Sequence, residues 1–244
     1  MKLLGTQNAK TVKGEAQGYM TFIMYLAPST ESGYQTCPMA SKGCAAACLF
    51  TAGMGRFDNV RNPRIRKTRY FFEDRAAFMA DLVSDIEKAI RSADRKGMTP
   101  VFRLNGTSDI RWETVPAIRD GVEYRNVMEA FPNVQFYDYS KLSNRKNIPA
   151  NYHLTFSRSE SNDDQIQEAL DNGMNVAVVF DVKKNDDLPE RVQDFWQIEK
   201  IKVSLPVIDG DATDLRFKDP RGVIVGLRAK GDAKKDTSGF VLKV

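Results

Sequence analysis

Apolar residues fall into short runs that polar and charged segments separate. The first long run, residues 19–26, is almost continuously apolar and ends before Pro28. Such a run predicts a strand that is buried on both faces of a parallel sheet. Further apolar runs of strand length occupy residues 100–104, 134–139, 152–156, 176–180, 202–208 and 222–227. The pattern therefore predicts six or seven short strands.

Segments of helical character lie between these runs. Asn62 and Pro63 predict an N-cap and first helical residue of a basic helix that reaches about Phe72. A second helix is predicted from near Asp74 to a stop at Gly97, because its apolar residues recur every four positions. Further helical segments are expected at 115–131, 163–172 and 189–198. Strands that alternate with helices indicate parallel pairing with crossover helices.

This alternation fits either an open doubly wound sheet or a full or partial barrel. No strand is followed by a G-x-G-x-x-G turn, so the dinucleotide-binding sheet lacks its fingerprint. Several strands end in polar residues, and in a barrel all such ends converge on one face. We therefore predict an α/β fold, an irregular or partial TIM-like (β/α) barrel. It would form a single domain over residues 1–244, with residues 1–18 as an irregular N-terminal arm.

Composition restricts the class of protein. Hydrophobic residues make up 42% of the 244 residues and charged residues 28%, which is typical of a globular chain. No run reaches the roughly 20 apolar residues that a membrane helix needs, so no membrane partner is expected. The start turns polar too early for a secretory signal, which predicts a cytoplasmic location. The net charge of +4 is too small to indicate nucleic-acid binding by itself.

The three cysteines of the chain all lie in residues 37–48, directly after the first long strand. Cys37, Cys44 and Cys48 have the spacing C-x6-C-x3-C. Soft thiolates select zinc, copper(I) or iron–sulfur clusters, and cluster loops draw several ligands from one short run. A structural zinc needs a fourth ligand, whereas three cysteines suffice for a [4Fe-4S] cluster with one open iron. We expect such a cluster, with zinc and buried thiols without a metal as the alternatives.

Polar strand ends supply candidate ligand-binding residues, because the chemistry of parallel α/β barrels is performed there. The turn at 105–109 follows the second strand, and Asp109 in it could act as an acid, a base or a partner of the cluster. The same residue types also form ordinary turns. A small-molecule ligand, anionic or hydroxylated, would suit this set of side chains. The candidates are Arg103, Asn105, Thr107, Ser108, Asp109, Ser157, Arg158 and Glu160.

A basic segment at 56–69 is the remaining feature. Arg61, Arg64 and Lys67 lie at helical spacing and could bind phosphate or carboxylate groups. Nucleic acid is one such partner, with the aromatic residues at 70–72 as candidates for stacking on bases. A solvated helix face explains the same pattern without any ligand.

A three-cysteine loop directly after the first strand of a parallel α/β barrel resembles radical S-adenosylmethionine enzymes. In that family three cysteines hold a [4Fe-4S] cluster, and S-adenosylmethionine chelates the fourth iron. The family spacing is C-x3-C-x2-C with an aromatic residue before the last cysteine, where this chain has Ala47. A Gly-Gly-Glu-like turn ends the second strand there, where this chain has residues 105–109. The resemblance implies the cluster and names S-adenosylmethionine as the cofactor to examine.

Four motifs also resemble a bacteriophage family called gene product eighty-eight. They are residues 37–48, 56–69, 71–74 and 103–110, so the likeness is strong in the first half of the chain and weak in the rest. The resemblance implies a phage origin and a metal but brings no activity. Two functions stay open. One is a redox or radical-type enzyme that acts on a small molecule at the open iron, and the other is a metal-stapled module that binds nucleic acid or a host protein.

Overall fold

The computed structural model describes residues 1–6, 9–192 and 204–244, and it is a mixed α/β chain with a large, mostly parallel sheet. The described residues divide into two compact units. The first unit comprises residues 1–38, 57–138 and 146–153, and the second comprises 39–56, 139–145 and 154–244. The single domain therefore stays a prediction.

The elements of the described residues are short apart from two helices. The helices are α1 (Ala9–Glu15), α2 (Lys42–Ala46), α3 (Asp58–Glu73), α4 (Arg75–Asp94), α5 (Val127–Ala130) and α6 (Ile166–Asp171). The strands are β1 (Leu4–Gly5), β2 (Tyr19–Met24), β3 (Thr99–Arg103), β4 (Ala117–Arg119), β5 (Val122–Tyr124), β6 (Gln135–Ser140), β7 (Tyr152–Ser157), β8 (Asn175–Phe180), β9 (Arg191–Val192), β10 (Leu205–Asp209), β11 (Ile224–Arg228) and β12 (Val241–Leu242). The long apolar runs of the sequence correspond to β2, β3, β6, β7, β8, β10 and β11, as predicted. Residues 202–203 of the run predicted at 202–208 lie outside the described residues.

Strands of the first unit lie in the order β1-β2-β3-β6. The pairs β2–β3 and β3–β6 are parallel, and β1 is antiparallel to β2. Phe22, Phe102 and Phe136 occupy matched positions on these parallel strands, with neighbouring rings 5.3 and 5.5 Å apart. Such cross-strand aromatic contacts stabilise the pairing and fix its register. Within the predicted N-terminal arm, the structure has β1 and α1.

Two consecutive helices cover part of this unit. As predicted, α4 follows Asp74, whose carboxylate accepts a hydrogen bond from Ala77 N (3.1 Å). Gly97, just after α4, has φ +63°, which suits glycine at a helix end. The predicted start of the basic helix was wrong, because α3 begins at Asp58 and contains Pro63 inside it. A proline removes only one backbone donor, and packing of the helix can override that local cost.

The predicted helix at 115–131 was also wrong. Here β4 and β5 form an antiparallel hairpin, and only α5 is helical. Asp120 and Gly121 at its turn have φ of +51° and +76°. An Asp-Gly pair at a two-residue hairpin turn is a recognised sequence signal for this conformation, and the helical interpretation overlooked it.

Strands of the second unit pair in the order β7-β8-β11-β10, all parallel. The edge strand β9 is antiparallel to β10, and β12 pairs with β8. The predicted helix at 163–172 is confirmed in its second half, as α6. The predicted helix at 189–198 is wrong at Arg191–Val192, which is β9, and its remainder from 193 lies outside the described residues.

The strand pairings of the described ranges do not close the sheet into a barrel, so the TIM-like barrel stays a prediction. Among the same residues, no helix has the length and apolar character needed to cross a membrane.

Candidate functional site

The cysteine segment divides between the two units: Cys37 belongs to the first, and Cys44 and Cys48 to the second. All three thiols are partly buried, and none forms a disulfide. In the part of the chain that the structure describes, which includes all three cysteines, no group of three His, Cys, Asp or Glu side chains is placed to hold a metal ion. The metal site expected from the sequence is thus not preformed among the described residues, and the [4Fe-4S] cofactor stays a prediction.

Cys37 lies in a loop that follows β2. Its Sγ accepts a hydrogen bond from Ser29 N (3.4 Å) and lies 3.7 Å from the hydroxyl of Thr36. It also donates a hydrogen bond to the carbonyl oxygen of Thr107 (3.7 Å), in the loop that follows β3. The thiol of Cys37 therefore links the loops that follow β2 and β3.

Cys44 is part of α2, which Ser41 caps. The hydroxyl of Ser41 accepts a hydrogen bond from Cys44 N (3.1 Å). Cys44 packs against a small apolar cluster formed by the C-cap residue of α2 and by the C-terminal segment, residues 229–241. Its members are Ala47, Ala229, Ala233, Phe240 and Val241. Cys48 follows α2, and its carbonyl accepts hydrogen bonds from the backbone and hydroxyl of Thr51 (both 2.9 Å). The two cysteines therefore lie on short, well-bonded turns.

Asn105 organises the turn that the sequence suggested as a ligand loop. Its Oδ1 accepts hydrogen bonds from Ser108 Oγ (2.8 Å), Ile110 N (3.0 Å) and Trp112 Nε1 (3.0 Å). Its Nδ2 donates to the carbonyl of Ile110 (2.9 Å). Both Asn105 and Trp112 are buried. The amide of Asn105 and the hydroxyl of Ser108 therefore serve the shape of the loop.

The loop is attached to β6 through a buried carboxylate that sequence reasoning did not select. Asp138 Oδ1 accepts a hydrogen bond from Asn105 N (2.7 Å), and its Oδ2 accepts one from the hydroxyl of Tyr152 (2.9 Å). Asp138 is fully buried. The available signal was an aspartate between the aromatic residues Tyr137 and Tyr139 of this strand, since buried charged groups need specific partners.

The other predicted residues of this loop are distributed around it. Thr107 donates its hydroxyl hydrogen to the carbonyl of Leu26, and Asp109 N donates to the carbonyl of Thr36 (2.9 Å). Arg103 ends β3 and is half-buried. Thr107 and Asp109 therefore lie next to the loop that contains Cys37, and both donate hydrogen bonds to its backbone carbonyls.

In the second unit, Ser157 and Arg158 at the end of β7 make mainly internal contacts. Buried Lys141 donates to Ser157 Oγ (2.8 Å), to the Ser157 carbonyl (3.0 Å) and to the Arg158 carbonyl (3.1 Å). Arg158 pairs with Asp163 (2.7 Å) and donates to the carbonyls of Gly239 and Phe240. These groups fasten the C-terminal segment to β7, and Lys141 was not selected from the sequence.

Glu160 contacts the cysteine segment directly. Its Oε2 accepts a hydrogen bond from Ser41 Oγ and its Oε1 accepts one from Gly43 N, both at 2.7 Å. Glu160 therefore binds the start of the helix that contains Cys44.

The three basic candidates of α3 all contact neighbouring groups of the first unit. Arg61 pairs with Glu31 (3.1 Å), and the guanidinium of Arg64 lies over the ring of Tyr25 (4.6 Å). Lys67 donates to the carbonyl of Leu3 (2.8 Å), and burial lowers the pKa of its ammonium group. The side chains that were expected to bind an anion are thus largely occupied within the protein.

These features define a mixed α/β protein whose cysteine segment follows the first long parallel strand. The chain belongs to the phage family described as Gene product 88, whose family model matches residues 2–244. This match confirms the phage resemblance and extends it to nearly the whole chain. No curated protein and no solved structure matches the chain.

Proposed function

We propose that this phage protein is an iron–sulfur protein in which Cys37, Cys44 and Cys48 hold a [4Fe-4S] cluster. The observation that supports the proposal best is that every thiol of the chain lies in residues 37–48 and is partly accessible. Unligated cysteines are usually among the most buried residues of a protein. Three accessible thiols in one short segment are therefore better explained as ligands than as core residues.

The surroundings of the thiols are compatible with a cluster. Cys37 Sγ already accepts a backbone N–H, as cluster sulfur atoms do. Residues 45–47 are all alanine, so no large side chain between Cys44 and Cys48 hinders the approach of a cluster. The proposal requires the three sulfur atoms to converge when the metal binds, because metal binding and local folding are coupled where the site is not preformed.

Three protein ligands leave one iron of the cluster open. In this proposal that iron lies at the mouth of an irregular or partial TIM-like barrel, in the host cytoplasm, and binds a small molecule. As a Lewis acid or one-electron donor it would support redox or radical-type chemistry, and the protein would orient the ligand. S-adenosylmethionine is the first ligand to examine, given the likeness to radical enzymes.

The test is anaerobic purification and reconstitution with iron and sulfide. We expect brown protein with about four iron and four sulfide per chain, as a cubane requires. Serine replacement of Cys37, Cys44 or Cys48 should each lower the iron content, whereas Met39→Leu, an exposed neighbour in the same segment, should leave it unchanged. Colourless protein with one zinc per chain would refute the proposal.

A structural metal without catalysis is the competing function. In that case Arg61, Arg64 and Lys67 would recognise nucleic acid or a host protein, but their contacts with Glu31, Tyr25 and Leu3 weigh against it. Addition of S-adenosylmethionine to the reduced protein separates the two functions. A changed electron paramagnetic resonance spectrum supports the enzyme, whereas an unchanged spectrum together with metal-dependent folding and salt-sensitive oligonucleotide binding supports the module.

A further inference from the structure

Both carboxylate oxygens of Glu160 accept hydrogen bonds from one turn of the chain. Oε2 accepts the hydroxyl hydrogen of Ser41, the N-cap of α2, and Oε1 accepts the N–H of Gly43 in the first turn. Glu160 is 119 residues from Ser41 in sequence, so the turn is held by a distant element. Hydrogen bonds to an ionised carboxylate are among the stronger ones in proteins.

The backbone at Gly43 lies unusually close to these partners. A Cβ atom at this position would lie 2.1 Å from Ser238 Oγ and 2.7 Å from Glu160 Oε1, so both side-chain ends would have to shift to make room for it. Glycine therefore allows this close approach. The C-terminal segment and Glu160 together confine this turn.

Hydrogen bonds within the C-terminal segment fix its conformation beside this turn. Asp236 accepts hydrogen bonds from the hydroxyl of Ser238 (2.6 Å) and from Val241 N (3.0 Å). Phe240 and Val241 then pack, with Ala47, in the apolar cluster that Cys44 contacts. The helix that contains Cys44 is thus confined at its first turn by Glu160 and along its apolar side by the C-terminal segment.

We propose that Glu160 is a positioning residue for Cys44: its carboxylate holds the first turn of α2 so that the thiol is fixed before any metal binds. The sequence suggested Glu160 as a ligand-binding residue, and this inference gives it a different task. The expected effect of Glu160 on cluster binding rests on the proposed function. The ordering of the turn is a property of the metal-free chain and can be measured by itself.

The experiment compares Glu160→Ala and Glu160→Gln with Glu123→Ala, which removes an exposed carboxylate of the β4–β5 hairpin. Hydrogen exchange of residues 41–47 and alkylation of Cys44 by iodoacetamide are followed by mass spectrometry on full-length, metal-free, reduced protein. In Glu160→Ala we expect the exchange rates to rise about tenfold, the factor that corresponds to about 1.4 kcal/mol in local opening. The alkylation rate of Cys44 should rise by a smaller factor, because its thiol is already partly accessible. Glu160→Gln retains one acceptor and should show a smaller rise.

Alkylation of Cys37, in the first unit, and exchange in α4 serve as internal controls, and both should stay at the wild-type rates. Cys44 rates equal to wild type in both Glu160 variants would overturn the inference, as would a general loosening that includes α4. Reconstitution with iron then gives the second result, and we expect Glu160→Ala to retain less iron than Glu123→Ala. If the wild-type protein binds no iron while the Cys44 effect is present, the positioning role stands and the proposed function fails.

Discussion

Replacement of Asp138 by alanine tests whether the loop after β3 is fastened by a buried carboxylate. Asp138 is fully buried and accepts hydrogen bonds from Asn105 N and from the hydroxyl of Tyr152. The substitution removes both acceptors and leaves two donors buried. Each buried donor without a partner costs about 1–3 kcal/mol, so Asp138→Ala should lower the free energy of unfolding by about 2–6 kcal/mol.

The partner variant sharpens this test. Tyr152→Phe removes one donor and leaves the carboxylate bound to Asn105 N, so its cost should be about 1.5–3 kcal/mol, typical for a hydrogen bond to a charged group. In the double variant the tyrosine hydroxyl that Asp138 accepts from is absent as well. The loss of stability in the double variant should therefore be smaller than the sum of the losses in the two single variants, as expected for groups in one network. Glu123→Ala, at an exposed position, is the control and should change stability very little.

The measurement is urea unfolding followed by tryptophan fluorescence and circular dichroism, with the free energy taken by linear extrapolation. Trp112 reports on the loop itself, because its indole N–H donates to Asn105 Oδ1. A stability of Asp138→Ala within about 0.5 kcal/mol of the wild-type value, the range of neutral surface changes, would refute the reasoning. Strict additivity of the two substitutions would show that the carboxylate and the hydroxyl do not act as a pair.

Two further predictions concern close packing and acid stability. Gly106→Ala should lower the free energy of unfolding by about 1–3 kcal/mol, because its Cβ would lie 2.5 Å from Tyr25 Cδ1. Gly5→Ala is the control and should be tolerated, because its nearest contact would be at 3.8 Å. Equal unfolding midpoints of the two variants would contradict this prediction. For Asp236, burial raises the carboxyl pKa, but hydrogen bonds from the Ser238 hydroxyl and the N–H groups of Val241, Ser238 and Gly239 outweigh burial and lower the pKa. Its stabilisation is thus complete above the unfolded pKa and is lost as the pH falls through the folded pKa, so the wild-type protein should lose more stability than Asp236→Asn in acid. Parallel stability curves of the two proteins in acid would contradict this prediction.

Local signals predicted much of the fold. The apolar runs located β2, β3, β6, β7, β8, β10 and β11, because strands buried on both faces are apolar throughout. The spacing of apolar residues and the Asp74 cap located α4, since periodicity and capping are local properties. At 115–131 the prediction of one helix was wrong apart from α5, although the Asp120–Gly121 turn signal was present.

The candidate site was less predictable, because polar residues near strand ends have similar sequence signatures whether they bind a ligand or the protein itself. Asn105 and Arg158 were expected to meet a ligand, yet they bond Trp112 and Asp163 respectively. Lys67 was expected at a surface, yet its ammonium group reaches the carbonyl of Leu3. The contact of Lys67 with Leu3, 64 residues away, leaves no local pattern from which it could be predicted. Asn105 and Arg158 bond residues only seven and five positions away, but the same residue types at the same spacing would also suit a ligand loop.

The sequence by itself determined the crowding of the three thiols into residues 37–48, the alternation of strands and helices, and membership of the Gene product 88 family. Only the tertiary structure decided that Asp138 fastens the loop after β3 and that Glu160 holds the turn before Cys44. The physical reason is the range of the interactions. Hydrophobic periodicity is a pattern among residues close in sequence, so it can be read from the sequence. A buried carboxylate meets its hydrogen-bond donors only when the fold has brought distant segments together.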